Sequence, residues 1–209
     1  MTDHQEIETK FLVRDIQNIE LRLINLKAGI FKPRCLENNF RFDTKENKLA
    51  SESKVLRLRQ DTNQWLTYKE PGDLINGVRS RHEIEFNVSD IKATQSLLEA
   101  LGLHIFQTYE KFRTVYILNG IKIMLDELPI GSFIEIEGDE VQSIKKVADD
   151  LNLRWELKID QSYLSIFNSI CRLKGLGPRD LTFETIAIDF DSLNRLNIFP
   201  ADQHPHFSL

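Results

Sequence analysis

Two pairs of carboxylates share one spacing in this sequence: Glu6 and Glu8 near its start, Glu135 and Glu137 far downstream. Cations repeat that spacing. Lys10 continues the first pair, Arg57/Arg59 and Lys111/Arg113 form pairs of their own, and Arg79/Arg81 run on into Glu83/Glu85. In an extended strand, side chains two apart point to the same face, so each group presents its charges together. Arg meets phosphate oxygens with bidentate hydrogen bonds, and Lys meets them as a compact point charge. Carboxylates repel those oxygens unless a hard cation lies between. Mg²⁺ or Mn²⁺ takes oxygen ligands, typically one or two carboxylates together with phosphates and water. A surface carrying both sets is chemically a metal–triphosphate site.

The elements that must carry these charges follow from periodicity. Residues 3–13 read as a strand, and Ile16, Ile19, Leu23, Leu26 and Ile30 recur at helical spacing behind an Asp15 cap, with Gly29 as the stop. A strand is expected at 34–43, an irregular stretch at 44–52, and a hairpin from Val55–Arg59 through the turn at Asp61-Thr62-Asn63 to Trp65–Lys69, ended by Pro71-Gly72. Residues 77–88 form the next strand. Ser89 caps a helix bearing Ile91, Leu97, Leu98 and Leu101, which Gly102 ends. A long strand at 104–118 turns at Asn119-Gly120, a strong two-residue hairpin signal, and returns at 121–127. After Pro129-Ile130-Gly131 comes a strand at 132–138. A helix with Val141, Ile144, Val147 and Leu151 follows, then a helix at 160–173. The two halves run strand, helix, hairpins, which leaves room for a weak internal repeat. From Arg179 onward no period is legible.

About eight strands with three or four helices make an α+β pattern, and eight antiparallel strands can close into a barrel around one small ligand. An ordinary antiparallel sheet would turn its charged face to water. Here the charges are sorted by strand, not mixed with Ser, Thr and Gln. Like charges also sit about 7 Å apart along one strand, which costs energy unless opposite charge lies between. Amphipathic helices meanwhile need an apolar surface to cover. These features predict a polar barrel interior with the helices packed outside. The expected organisation is a tunnel domain over 1–158 and a helix-plus-tail segment over 159–209 packed on it. The helix at 160–173 reads either as core packing or as a lid on one tunnel end.

The chain has 209 residues, 41% hydrophobic and 28% charged, with net charge −5, which suits a globular protein and gives no electrostatic case for nucleic-acid binding. Cys35 and Cys171 are too few and too far apart for a disulfide framework, so they read as plain buried thiols of a reducing compartment. No signal peptide or membrane span is expected, which makes the cytoplasm the expected location. The five histidines show no ligand pattern, and His204 and His206 read as solvated.

The charged blocks resemble the CYTH family, also called triphosphate tunnel metalloenzymes. Glu6-x-Glu8-x-Lys10 is similar to its ExExK signature. The likeness continues through Phe42-Asp43, Leu56-Arg57-Leu58-Arg59, Leu66-Thr67-Tyr68-Lys69, Arg81-x-Glu83-x-Glu85, Lys111-x-Arg113, Leu125-Asp126 and Phe133-Ile134-Glu135-Ile136-Glu137, spanning roughly residues 4–165. The resemblance implies an eight-stranded antiparallel tunnel that acts on triphosphates. It implies that Lys10, Arg57, Arg59, Lys69, Arg81, Lys111 and Arg113 hold the triphosphate. Glu6, Glu8, Glu135 and Glu137 would hold Mg²⁺ or Mn²⁺ and serve catalysis, with Glu85 and Asp126 as further metal positions. Lys69, read by itself, has a competing reading as a surface lysine flanking a turn, and Glu83 and Arg79 are less firmly placed, since rim positions are solvated.

The activity this implies is metal-dependent hydrolysis of tripolyphosphate or of an organic or nucleoside triphosphate. The alternative is a class IV adenylate cyclase, which makes cyclic AMP and pyrophosphate from ATP, and a third reading is a triphosphate binder without catalysis. The expected partner is the small-molecule triphosphate, with no nucleic acid or membrane. The oligomeric state stays open, a homodimer included. Clustered carboxylates are expected to raise one another's pKa values and to favour activity at neutral to alkaline pH.

Overall fold

The computed structural model describes residues 2–184 and 190–203, so the expectation for His204 and His206 lies outside the described residues. Nine strands form the sheet: β1 (Thr2–Val13), β2 (Gly29–Asp43), β3 (Val55–Gln60), β4 (Gln64–Lys69), β5 (Asp73–Ile75), β6 (Val78–Asn87), β7 (His104–Leu118), β8 (Ile121–Leu128) and β9 (Gly131–Glu137). Eight of them follow the order β1-β9-β8-β7-β2-β3-β4-β6, and β6 pairs back onto β1 to close the ring. Every pairing is antiparallel, and β5 is an added edge on β6. The α+β barrel read from the charge pattern is the fold observed.

The apolar halves of the strands face outward, where helices cover them. Helices α1 (Ile16–Asn25) and α4 (Val141–Asp150) press Ile19, Leu23, Ile144 and Val147 onto Phe11, Val13, Ile123, Ile134 and Ile136. Several of these side chains are wholly enclosed, and each such burial contributes about 1.5–3 kcal/mol. Helix α3 (Ile91–Ala100) sets Leu98 against Phe42 and Leu58 of β2 and β3. Between β3 and β2 lies the short helix α2 (Lys48–Ser51), inside the stretch expected to be irregular. Asp43 holds it by accepting from the backbone N–H of Thr44, Leu49 and Ala50.

Helix α5 (Tyr163–Leu173), capped by Ser162, follows a 3₁₀ turn at Trp155–Leu157. Its Tyr163, Leu164, Phe167, Ile170 and Cys171 pack with Leu12, Tyr109, Leu128, Ile130 and Phe133 across one end of the barrel. Described residues beyond it also contact the barrel. Leu181 bridges to Tyr109, α6 (Phe190–Asn194) adds Leu193 to the same cluster, and Ala201 N–H donates to Leu12 O. The helix thus does both things its sequence suggested: it is core, and it caps one end of the tunnel. No helix among the described residues is long and apolar enough to cross a membrane.

Four local expectations are corrected. Gly29 does not end α1; the helix stops at Asn25, Lys27 takes a positive φ of 60°, and Gly29 opens β2 five residues before position 34. Ile30 accordingly leaves the helix face and is exposed. The cap of α3 is Asp90, whose carboxylate accepts from Lys92 and Ala93 N–H, not Ser89. Asn76-Gly77, with φ of 54° and 75°, is a tight turn joining β5 to β6, so the chain pairs again after Pro71-Gly72. Asn119-Gly120 behaves as expected, with φ of 52° and 82°.

Candidate functional site

The seven cations expected to bind phosphate, Lys10, Arg57, Arg59, Lys69, Arg81, Lys111 and Arg113, all lie in the barrel interior, each with side-chain exposure of 16% or less. The strand registers put them there. Lys10 stands opposite Glu135 across β1/β9, Glu6 opposite Arg81 across β1/β6, Lys69 opposite Glu83 across β4/β6, and Arg113 opposite Asp126 across β7/β8. Lys69 is buried, so its reading as a surface residue beside a turn is excluded. Glu83 is buried as well, and Arg79 is half-buried, its Nη2 donating to Asp160 O at 2.5 Å.

Almost every charge is met by an opposite one. Glu6 accepts from Lys69 at 2.7 and 2.8 Å and from Arg81 at 3.1 Å, and Glu8 accepts from Arg81 at 3.0 Å. Glu135 pairs with Lys10 at 2.8 Å and with Arg113. Asp126, fully enclosed, accepts from Arg113 at 2.6 Å, Lys111 at 3.0 Å and Tyr163 Oη at 2.8 Å. Glu85 takes Thr67 Oγ1 at 2.6 Å and two longer contacts from Arg57 and Arg59. Glu137 meets Lys122 at 2.7 Å, and that lysine is 44% exposed.

This interleaving overturns the expectation of raised carboxylate pKa values. Burial does work against ionisation of Glu135, but the charges of Lys10, Arg113 and Lys111 outweigh it and hold the carboxyl well below the usual range. Glu83 and Glu85 are lowered in the same way, by Lys69 and Arg57 and by Arg59 and Arg57. At Glu83, Glu85 and Glu135, attraction to interleaved cations sets the protonation where mutual repulsion was expected.

Several interior residues lie outside the motif blocks. Glu37 is 1% exposed, with Lys111 at 3.7 Å and Lys32 at 3.4 Å. Burial resists its ionisation, yet Lys111, Arg113, Arg59 and Lys32 bring its pKa down to about 2. Asp61 is a turn residue, accepting from Asn63 N–H, and it also pairs with Lys32 at 2.6 Å and Arg59 at 3.3 Å. Asn39 and Arg41 sit on β2 opposite Arg59 and Arg57, and Tyr109 Oη accepts from Arg57 at 3.3 Å. The signal for three of them was present: Glu37, Asn39, Arg41 and Asp43 alternate just as the motif residues do. Tyr109 and Tyr163 carried no such signal, because an aromatic on a strand or helix face ordinarily reads as core.

The donor chemistry fits a hard divalent cation, since all candidate ligands are carboxylates. The positions fit in part. Glu8 and Glu137 face each other across β1/β9, with Glu6 one step along the same face. Each, however, is turned to a cation, and among the described residues no group of three or more acidic, His or Cys side chains converges. Asp126 and Glu85 are held by their own partners on other strands.

A family model described as the CYTH domain matches residues 4–163. The chain is 24% identical over 176 residues to the adenylate cyclase CyaB of Aeromonas hydrophila, covering 79% of this chain and 88% of that one. Its fold is similar to that of a candidate adenylate cyclase from Vibrio parahaemolyticus, with TM-score 0.71 and 20% identity over 80% of this chain and 99% of the other. It is also similar to a candidate adenylyl cyclase from Hippeastrum described as having a dominant triphosphatase activity, with TM-score 0.62, 21% identity, and coverage of 83% and 97%.

Proposed function

Since the chain belongs to the CYTH family, we propose that it hydrolyses a triphosphate inside the tunnel with the help of Mg²⁺ or Mn²⁺. The carrying observation is the mutual neutralisation of the tunnel: seven interior cations, each held by an interior carboxylate. A triphosphate can replace those carboxylates as the counter-charge. Its oxygens take up Arg57, Arg59, Arg81 and Arg113 through guanidinium forks, and Lys10, Lys69 and Lys111 as point charges. The carboxylates thereby released, Glu6, Glu8 and Glu137 first among them, become the hard oxygen donors that a divalent ion requires. Substrate and metal would thus enter together, the metal offsetting part of the charge that the triphosphate brings.

A bound divalent ion supplies charge stabilisation at the phosphates and acidifies a bound water. The chain's own residues do the rest. The cations fix the phosphate chain in line and neutralise charge that builds on the leaving oxygens, which is most of what phosphoryl transfer needs. Helix α5 excludes solvent from the capped end.

A cyclase is the second reading, favoured by the relative from Aeromonas hydrophila. It uses the same phosphate contacts but also needs a base pocket that brings the ribose 3′-hydroxyl onto the α-phosphorus. Hydrolysis asks only for water. Incubation with tripolyphosphate, ATP and thiamine triphosphate, with each metal in turn, separates the two. Orthophosphate plus a diphosphate is the expected product. Cyclic AMP plus pyrophosphate selects the cyclase, and binding without turnover selects neither.

A further inference from the structure

One interior cation lacks a carboxylate. Arg41 on β2 stands directly opposite Arg57 on β3, at a position where like charges repel. Among the described residues Arg41 makes no ion pair or hydrogen bond, and its Nε is enclosed without a partner. Its notable neighbour is the Phe106 ring, whose centroid lies 5.7 Å from Cζ. Arg57 donates to Thr67 Oγ1 at 3.2 Å and meets its carboxylate, Glu85, at 3.5 Å, while its own Nε is enclosed and unpartnered. Tyr109 Oη accepts from Arg57, while its proton meets no acceptor among the described residues. Burial lowers the pKa of Arg41, and Arg57 and Arg81 add to it, against opposition from Tyr109 and Asp43. For Lys69, Arg81 and Arg113 the shift is upward, because carboxylates outweigh burial, and for Arg57 it is upward because Tyr109, Glu85 and Glu83 together do so.

Orphaned buried donors are rare and costly, so a cluster of them points to an absent acceptor. Here the donors are two guanidinium groups and a phenol, a set that suits an oxyanion. Position narrows it further. Gln107, the partner of Arg41 across β2/β7, donates at 3.0 Å to Asn168 Oδ1 of α5 and at 3.0 Å to Arg179 O. Tyr109 belongs to the apolar cluster that α5 completes. The group therefore lies beneath the cap.

We propose that Arg41, Arg57 and Tyr109 form an oxyanion subsite for the terminal phosphate of the triphosphate, at the α5-capped end of the tunnel. It rests on the triphosphate reading above and adds a direction to it. The unsubstituted phosphate lies under the cap, and any organic group extends toward the Glu8/Glu137 side.

The test is a thermal-shift titration of the full chain, wild type, Arg41→Leu and Arg41→Lys, with tripolyphosphate and with diadenosine triphosphate, whose two end phosphates are both esterified. Arg41→Leu should match or exceed the wild-type melting temperature without ligand, because it removes a half-buried charge that has no ion pair and an enclosed, unpartnered Nε. It should bind tripolyphosphate roughly 10- to 100-fold more weakly, the scale of a lost charge-assisted contact. Arg41→Lys, which keeps the charge but loses the fork, should fall between. Diadenosine triphosphate should bind the wild type at least tenfold more weakly than tripolyphosphate. Wild-type tripolyphosphate affinity in Arg41→Leu overturns the subsite, as does wild-type affinity in Arg41→Lys should the leucine variant not fold. Equal affinity for the doubly esterified probe overturns the terminal-phosphate assignment. If no triphosphate is turned over but Arg41→Leu still loses affinity, the hydrolytic reading falls and the subsite stands.

Discussion

Lys69 donates to both carboxylate oxygens of Glu6, at 2.8 and 2.7 Å, and also pairs with Glu83 at 2.6 Å. One ammonium therefore holds two buried carboxylates on different strands, β1 and β6. Truncating it strands Glu83 and leaves Glu6 to Arg81 alone. Lys69→Met should cost about 3–5 kcal/mol of stability, the scale for breaking a buried pair from one side. Urea unfolding at neutral pH measures this. The double variant Lys69→Met/Glu83→Gln, which removes the stranded charge, should recover part of the loss. A single-variant cost below about 1 kcal/mol, the level of an exposed pair, would contradict the enclosure of this cluster.

The lowered carboxylates give the fold a defined pH response. Glu37 is held at about 2 and Glu135 well below the usual range. In the unfolded chain both titrate near the ordinary value of about 4.3. A depressed folded pKa stabilises above the unfolded value, and the stability is lost as pH falls through the folded one. Melting temperature should thus hold steady from neutral pH to about 5. It should then drop progressively toward about pH 2, and Glu37→Gln should flatten part of that drop. A melting temperature that rises on acidification would mean the carboxylates are not ion-paired in solution.

Among the described residues Glu8 and Glu137 are each held by one cation, and they face each other across β1/β9. Glu8→Gln and Glu137→Gln should each lower turnover by about a hundredfold or more while shifting the melting temperature by only a few degrees. Chelation with EDTA should abolish turnover of the wild type, and Mg²⁺ or Mn²⁺ should restore it. In both variants the metal concentration for half-maximal activity should rise. Full activity in EDTA would remove the metal from the mechanism.

The barrel was legible because charge alternates with apolar residues along strand after strand, a pattern with period two that a single solvent-facing sheet explains poorly. The alternation put the charged faces of these strands in the interior, but the assignment of the individual cations, Lys69 above all, came from the family resemblance. What spacing could not supply was where each charge points. Glu6, Glu8, Glu135 and Glu137 share a chemistry in the sequence, yet their side chains turn to Lys69, Arg81, Lys10 and Lys122. Pairings of that kind depend on strand neighbours set by closure of the ring. Arg41 was hidden for a different reason: it stands beside Phe42-Asp43, and the short block drew notice away from the longer alternation that begins at Glu37. The cap was half visible. The apolar side of α5 is plain, but that it seals a tunnel end depends on Leu12, Tyr109 and Phe133 facing inward there.

Tyr163 ties that cap to the charged interior. Its hydroxyl donates to Asp126 at 2.8 Å, its ring lies 4.5 Å from Lys10 Nζ, and it packs edge-on against Phe133 with centroids 5.0 Å apart. Burial, with Asp126 and Glu135 close by, pushes its pKa far up, so the phenol remains a donor at any working pH. Tyr163→Phe removes one hydrogen bond to a carboxylate that still has Arg113 and Lys111. The cost should be about 1–2 kcal/mol, with kcat/KM changed less than threefold, because the ring and the cap remain. Tyr163→Ala also removes the ring and leaves a cavity under two ammonium groups, which should cost about 3–5 kcal/mol. Because Lys10 and Lys111 then gain access to water, tripolyphosphate affinity should fall together with stability. Urea unfolding and tripolyphosphate titration of the two variants separate the roles. If Tyr163→Phe alone reduces affinity as much as Tyr163→Ala, the hydroxyl itself acts on the substrate, and Asp126 is not its main partner during binding.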